Sequence, residues 1–209
     1  IRSHEIGRTP SPARVSITSS PMIIALSGLS GTGKTTIKNL LAERLLLRSY
    51  SMGDLRGKMA MERGITIDEL NAQGMTDAST DREVDEFQTK LGQTEDNFIV
   101  DGWLSWYFIP HAFKVQLTVD PTVAATRIYN AKKNEPGRDD EPDFSSVEET
   151  ARILADRVAQ SEARYQKWYG FSLKNDGKYD LVVDTTKRTP AEIIDVILAA
   201  IPKNLDPQP

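Results

Sequence analysis

Residues 28–36 read Gly28-Leu29-Ser30-Gly31-Thr32-Gly33-Lys34-Thr35-Thr36, a G-x-x-x-x-G-K-T string set between an apolar run and a helical pattern. No other stretch constrains the fold as much, because this string needs a strand to deliver it and a helix to open. Met22-Ile23-Ile24-Ala25-Leu26 has the unbroken apolar character of a strand buried on both faces. Beyond the string, Ile37, Leu40, Leu41, Leu45 and Leu47 recur at helical spacing. Gly28, Gly31 and Gly33 permit positive φ, so backbone N–H groups can close around phosphate oxygens. The helix start behind them adds favourable partial charge. Lys34 offers a mobile cation for the β and γ phosphates and Thr35 a hydroxyl for Mg²⁺. A nucleoside triphosphate site is therefore expected here.

Composition sets the outer limits. At 209 residues, 39% apolar and 27% charged, the chain matches one ordinary globular domain. No apolar run reaches the length needed to span a bilayer. A net charge of −4 gives no nucleic-acid footprint. The absence of cysteine excludes disulfides, thiol nucleophiles and thiolate zinc sites, and agrees with a reducing, cytoplasmic setting. Residues 1–21 carry Arg2, Arg8 and Arg14 with three prolines and no periodic apolar pattern. They are expected to form a disordered tail outside the fold, which begins at Met22.

Further along, strands are expected at 50–52, 97–100, 114–119 and 179–184. Helices are expected at 53–63, 67–73, 77–92, 121–133, 147–169 and after Pro190. Asp120-Pro121 supplies a cap and a first-turn proline. Ser145 or Ser146 with Glu148 or Glu149 supplies a capping box, and Gly170 a stop. Strands and helices alternate throughout, so an α/β fold with a parallel sheet covered on both faces is expected. Residues 22–209 then form a single domain, with a helical insert at about 53–95 and a lid at about 134–170.

Among proteins that bind triphosphates with such a loop, a GTPase switch needs an Asn-Lys-x-Asp base-reading string, and none is present. A large mechanochemical ATPase needs a second carboxylate beside Asp101 and more chain. A small phosphotransferase remains. Phosphoryl transfer needs alignment and charge neutralisation more than covalent chemistry. Arg157 and Arg164 lie seven residues apart on one helical face, where guanidinium groups could clamp the transferring oxygens.

The ordered pieces Ser51-Met52-Gly53-Asp54, Asp81-Arg82-Glu83-Val84-Asp85 with Gln88, Val100-Asp101-Gly102, Arg157 to Gly170 and Tyr179 to Thr185 follow the glycine-rich loop in turn. Over residues 22–201 the chain resembles the P-loop nucleoside monophosphate kinases, in particular the archaeal type of cytidylate kinase. The resemblance implies a five-stranded parallel sheet, an acceptor-binding insert, a lid, and ATP with Mg²⁺. It implies triphosphate contacts from Gly28 to Thr36, a Mg²⁺-organising role for Asp101 beside Thr35, and catalytic roles for Lys34, Arg157 and Arg164. The partner it implies is a small nucleotide-like acceptor, with no nucleic acid or membrane, and a monomeric or homodimeric state.

The acceptor side departs from the family. Members carry Gly-Asp-x-x-Arg where this chain has Gly53-Asp54-Leu55-Arg56, so the arginine is displaced by one residue. Two family arginines become Glu86-Phe87, and Glu-Gly-Arg becomes Asp101-Gly102-Trp103. Arg56, Lys58, Arg63 or Arg82 are therefore candidates to hold an acceptor phosphate, with Asp54 and Asp85 orienting hydroxyl or amino groups. Trp103, together with Trp106, Tyr107 and Phe108, is a candidate aromatic wall. The expected activity is phosphoryl transfer from ATP to a nucleoside monophosphate, CMP or dCMP. The alternatives are a kinase of an unphosphorylated small molecule and a catalytically decayed nucleotide binder.

Overall fold

A computed structural model describes residues 22–134, 142–170, 172–173 and 179–202. The expectations for the tail at 1–21, and for the tip of the lid at 135–141, lie outside these residues. The described chain runs β1 (Ile23–Ser27), α1 (Lys34–Leu45), β2 (Arg48–Ser51), α2 (Met52–Glu62), α3 (Ile67–Gly74), α4 (Ser79–Thr94) and β3 (Phe98–Asp101). It continues through α5 (Ser105–Phe108), β4 (Phe113–Thr118), α6 (Pro121–Asn134), α7 (Val147–Tyr169), β5 (Leu181–Asp184) and α8 (Pro190–Ala200). All pairings among the described strands are parallel, in the order β2-β3-β1-β4-β5.

β1 sits at the centre, and every one of its residues is buried. Its side chains alternate between two cores, as strand geometry requires. Met22, Ile24 and Leu26 meet Ile37, Leu41 and Leu45 of α1 and Ile193, Ile194 and Ile197 of α8. Ile23 and Ala25 face the opposite side, with Met59, Leu70, Val84 and Leu91 from the helices between β2 and β3. Register places Leu26 beside Asp101 and Ser27 beside Gln116, which brings the carboxyl ends of three strands together around the glycine-rich loop. Ligands bind in this crevice in open parallel sheets.

Local signals set most boundaries. Asp120 Oδ1 accepts from Thr122 and Val123 N–H at 2.9 and 3.1 Å, capping α6 as expected. Ser146, rather than Ser145, caps α7 by accepting from Glu149 N–H, and the Glu149 carboxylate reaches back to Ser145. Gly170 ends α7 at φ 71°. The short helix α5 has no expected counterpart, since four residues carry no readable period.

Candidate active site

The loop from Gly28 to Gly33 leaves β1 and turns sharply into α1. Gly28 and Gly31 have φ 145° and 82°, and both are hemmed in. A Cβ on Gly28 would stand 2.4 Å from the Leu117 carbonyl oxygen, and one on Gly31 would stand 2.7 Å from the Ala124 Cα. The loop is thus pressed against the end of β4 and the first turn of α6, and only glycine fits. Thr32 Oγ1 donates to the Leu29 carbonyl at 2.8 Å, and Lys34 Nζ donates to the same oxygen at 2.9 Å. Loss of solvent brings the Lys34 ammonium down to about 8, against the opposing pull of Asp101. Thr35 and Thr36 are exposed at the mouth of the loop.

Asp101 closes β3 beneath the loop and is buried. Burial raises its pKa, while Ser51, Lys38 and Lys34 act in the opposite direction. Lys38 Nζ lies 3.9 Å from Asp101 Oδ2. Neither end of this pair is visible to solvent, and the Asp101 Oδ2 atom has no hydrogen-bond partner among the described residues. A buried carboxylate oxygen without a hydrogen-bond partner, lining the same cavity as Thr35, is of the hard oxygen type that a Mg²⁺ shell uses.

A cavity of about 600 Å³ opens from this loop. Ser30 to Thr36 line one end, and Arg56, Arg157 and Arg164 line the other with Asp54, Asp81, Asp85 and Trp103. Arg157 projects from α7 onto α3, with Nε 2.5 Å from Asp68 Oδ1 and Nη2 2.8 Å from Oδ2. That is a two-point carboxylate pair of the strong kind. Asp81 serves two arginines at once, Arg56 Nη1 at 2.6 Å and Arg164 Nε at 2.7 Å. Arg56 Nη2 is buried and has no hydrogen-bond partner among the described residues, and burial lowers the Arg56 pKa. Arg164 is only 1% exposed and is also held by the Asn71 carbonyl and by Ser161 and Tyr165. It builds the wall more than it reaches inward.

Asp85 accepts a hydrogen bond from the Tyr169 hydroxyl, and burial lifts its carboxyl to about 6. Asp54 is exposed at the mouth, its N–H donated to Ser51 Oγ at 3.2 Å.

Two expectations need correction. Lys58, Arg63 and Arg82 are exposed and stand outside the cavity, because α2 and α4 pack with those positions on their outer faces. Of the four aromatics after β3, Trp103 alone lines the cavity. α5 turns Trp106, Tyr107 and Phe108 onto the aromatic end of α7, where Trp106 meets Tyr179 and Phe108 meets Tyr169. Arg157 and Arg164 of α7 pair with Asp68 of α3 and Asp81 of α4.

Arg127 of α6 escapes sequence reading. It donates to the Gly31 carbonyl at 3.1 Å and to the Thr185 carbonyl at 2.8 Å, so it clamps the loop to the strand end of β5 and lines the cavity. Only the apposition of three distant segments reveals it.

Among the described residues no group of three or more His, Asp or Glu side chains is disposed to hold a metal on its own. No described helix is long and apolar enough to cross a membrane.

Comparison with known proteins agrees with this architecture. The family model described as "AAA domain" matches residues 24–170. A cytidylate kinase of Archaeoglobus fulgidus is 31% identical over 181 residues, covering 86% of this chain and 94% of the relative. An S-adenosylmethionine-dependent nucleotide dehydratase of Lacinutrix mariniflava is 32% identical over 176 residues, 84% of this chain but 35% of that longer protein. Among solved structures, a shikimate kinase from Bacteroides thetaiotaomicron superposes with a TM-score of 0.56 at 15% identity, covering 85% of this chain and 97% of its own, a likeness of fold. With its glycine-rich loop, parallel sheet and arginine-lined cavity, the chain belongs to the P-loop kinase family that includes the archaeal cytidylate kinases.

Proposed function

We propose that the protein transfers the terminal phosphoryl group of ATP to a nucleoside monophosphate, CMP or dCMP foremost. One observation carries this reading: a single cavity joins the triphosphate loop to Arg56, Arg157 and Arg164. The loop amides and Lys34 would hold the donor phosphates, and Thr35 with Asp101 would hold the Mg²⁺ that arrives with the nucleotide. The unpartnered Arg56 Nη2 would receive an oxygen of the acceptor phosphate, replacing the family arginine one residue away. Arg157, exchanging Asp68 for the migrating group, would neutralise charge between donor and acceptor. The 31% identity to a cytidylate kinase over most of both chains supports the choice of acceptor.

A second reading has one observation in its favour. Arg56, Arg157 and Arg164 each already face a carboxylate, as in a site built for an unphosphorylated acceptor. Coupled ADP release measured with CMP, dCMP, UMP, AMP, nucleosides and sugars separates the two. Turnover highest with CMP or dCMP is expected, and turnover confined to acceptors without phosphate would replace the first reading with the second.

The Lys34 environment gives a pH prediction. Its ammonium is charged below about 8 and neutral above. Phosphate stabilises the charged form, so binding above that pH must draw in a proton. Mg-ATP affinity is expected to hold steady from pH 6.5 to 7.5 and then to weaken, by up to about tenfold per pH unit, above pH 8. Titration calorimetry at pH 7 and pH 9 checks this, and equal affinities at the two values would contradict it.

A further inference from the structure

Arg157 lines the cavity, but the carboxylate that holds it does not: from α3, Ile67 and Asn71 line the cavity and Asp68 stands outside. Nε and Nη2 of Arg157 are both committed to Asp68, at 2.5 and 2.8 Å. The side chains of the pair are 8% and 35% exposed, so the guanidinium is shielded while the carboxylate reaches water. A guanidinium gripped at two points by a carboxylate has its charge and its donors largely spoken for. Asp68 therefore competes with any phosphate for the same side chain.

The rest of the seam between α3 and α7 keeps the two backbones in place. Arg164 donates to the Asn71 carbonyl at 3.3 Å, Trp168 to the Gly74 carbonyl at 3.1 Å and Lys167 to the Met75 carbonyl at 2.9 Å. A helix end leaves such carbonyls without partners of its own, so these ties from α7 are favourable. A change of partner by Arg157 thus needs the turn of one side chain and no parting of helices. Charge decides which way it turns. A phosphate monoester brings about −2 to the cavity, so the pull away from Asp68 grows sharply once an acceptor phosphate stands beside the donor.

We propose that Asp68 is a positioning residue that withholds Arg157 from the donor's terminal phosphate until an acceptor phosphate occupies the cavity. The inference rests on the nucleoside monophosphate reading and adds to it a safeguard against transfer to water. An arginine that neutralises the migrating group speeds transfer to any oxygen nucleophile, water included. In that side reaction the bond from the terminal phosphorus to the bridging oxygen breaks, and ADP leaves. The water oxygen bonds to phosphorus, and its proton passes to solvent. While Asp68 keeps the guanidinium, water meets a donor without that assistance. With both phosphates present, their combined charge draws Arg157 across, and transfer to the acceptor proceeds.

The test measures inorganic phosphate released from Mg-ATP without acceptor, beside CMP-dependent ADP release. It compares the wild type, Asp68→Asn, Asp68→Ser, Arg157→Met and the double variant Asp68→Asn/Arg157→Met. Asp68→Asn and Asp68→Ser should each raise acceptor-free hydrolysis about tenfold or more, because a larger share of Arg157 then faces the donor. The CMP-dependent kcat should stay within about threefold of wild type. The double variant should fall back to the hydrolysis rate of Arg157→Met. A merely structural role for Asp68 would loosen the site with or without the arginine, so hydrolysis still raised in the double variant would overturn the inference. Hydrolysis within about twofold of wild type in whichever Asp68 variants fold would overturn it too, and CMP turnover would leave the kinase reading in place. A wild type that phosphorylates no nucleoside monophosphate, yet turns over another acceptor, would instead remove that reading and this inference with it.

Discussion

Replacing Lys34 with alanine should lower turnover by on the order of 10³-fold or more while the domain stays folded. Lys34 is the only lysine of the loop, and its ammonium group is held at the Leu29 carbonyl, already drawn into the turn that would surround the phosphates. Its charge is needed most when negative charge shifts toward the leaving oxygen, so the loss should fall on kcat as well as on affinity. The side chain contributes no apolar packing to the cores on either side of the sheet, and thermal unfolding should therefore change little. Steady-state rates with CMP, beside a melting curve, check both statements. Rates within a few-fold of wild type would refute the assignment of the loop.

The second large effect concerns Arg157. Its guanidinium is gripped at two points by Asp68 in the first turn of α3, which fixes it at the seam between α3 and α7. If it stabilises the transferring group, Arg157→Met should lower kcat by on the order of 10²–10⁵, and lysine should rescue it poorly, because one ammonium cannot reproduce the planar fork. A change confined to KM would mean that Arg157 binds ground and transition states alike. Asp68→Asn provides the control: it removes the partner but leaves the arginine, so its effect on kcat should be far smaller than that of Arg157→Met.

Much of this was legible in the residues. The run from Met22 to Leu26, the three loop glycines and the helical period after Lys34 act over a few residues each, and local physics places them without knowledge of the rest. The same holds for Asp120-Pro121 and Gly170, whose caps bound α6 and α7. What stayed hidden depends on distant neighbours. Lys38 sits on α1 like any helix lysine, yet it is buried because Asp101 arrives beside it from β3. Arg127 becomes part of the site only when Gly31 and Thr185 converge on it. Arg63 and Arg82 look equal to Arg56 in sequence, and only the packing of α2 against α3 and α4 turns one inward and leaves two in solvent. The aromatics after β3 divide for a similar reason, with α5 carrying three of them toward α7.

The central claim is that the turn joining β1 to α1 embraces the phosphates of a nucleotide. Isothermal titration of the folded protein with Mg-ATP at pH 7 tests it most directly. Saturable binding at one site per chain, lost or greatly weakened in Lys34→Ala, is the predicted result. A folded sample that gives no heat and no saturation would contradict the account at its root.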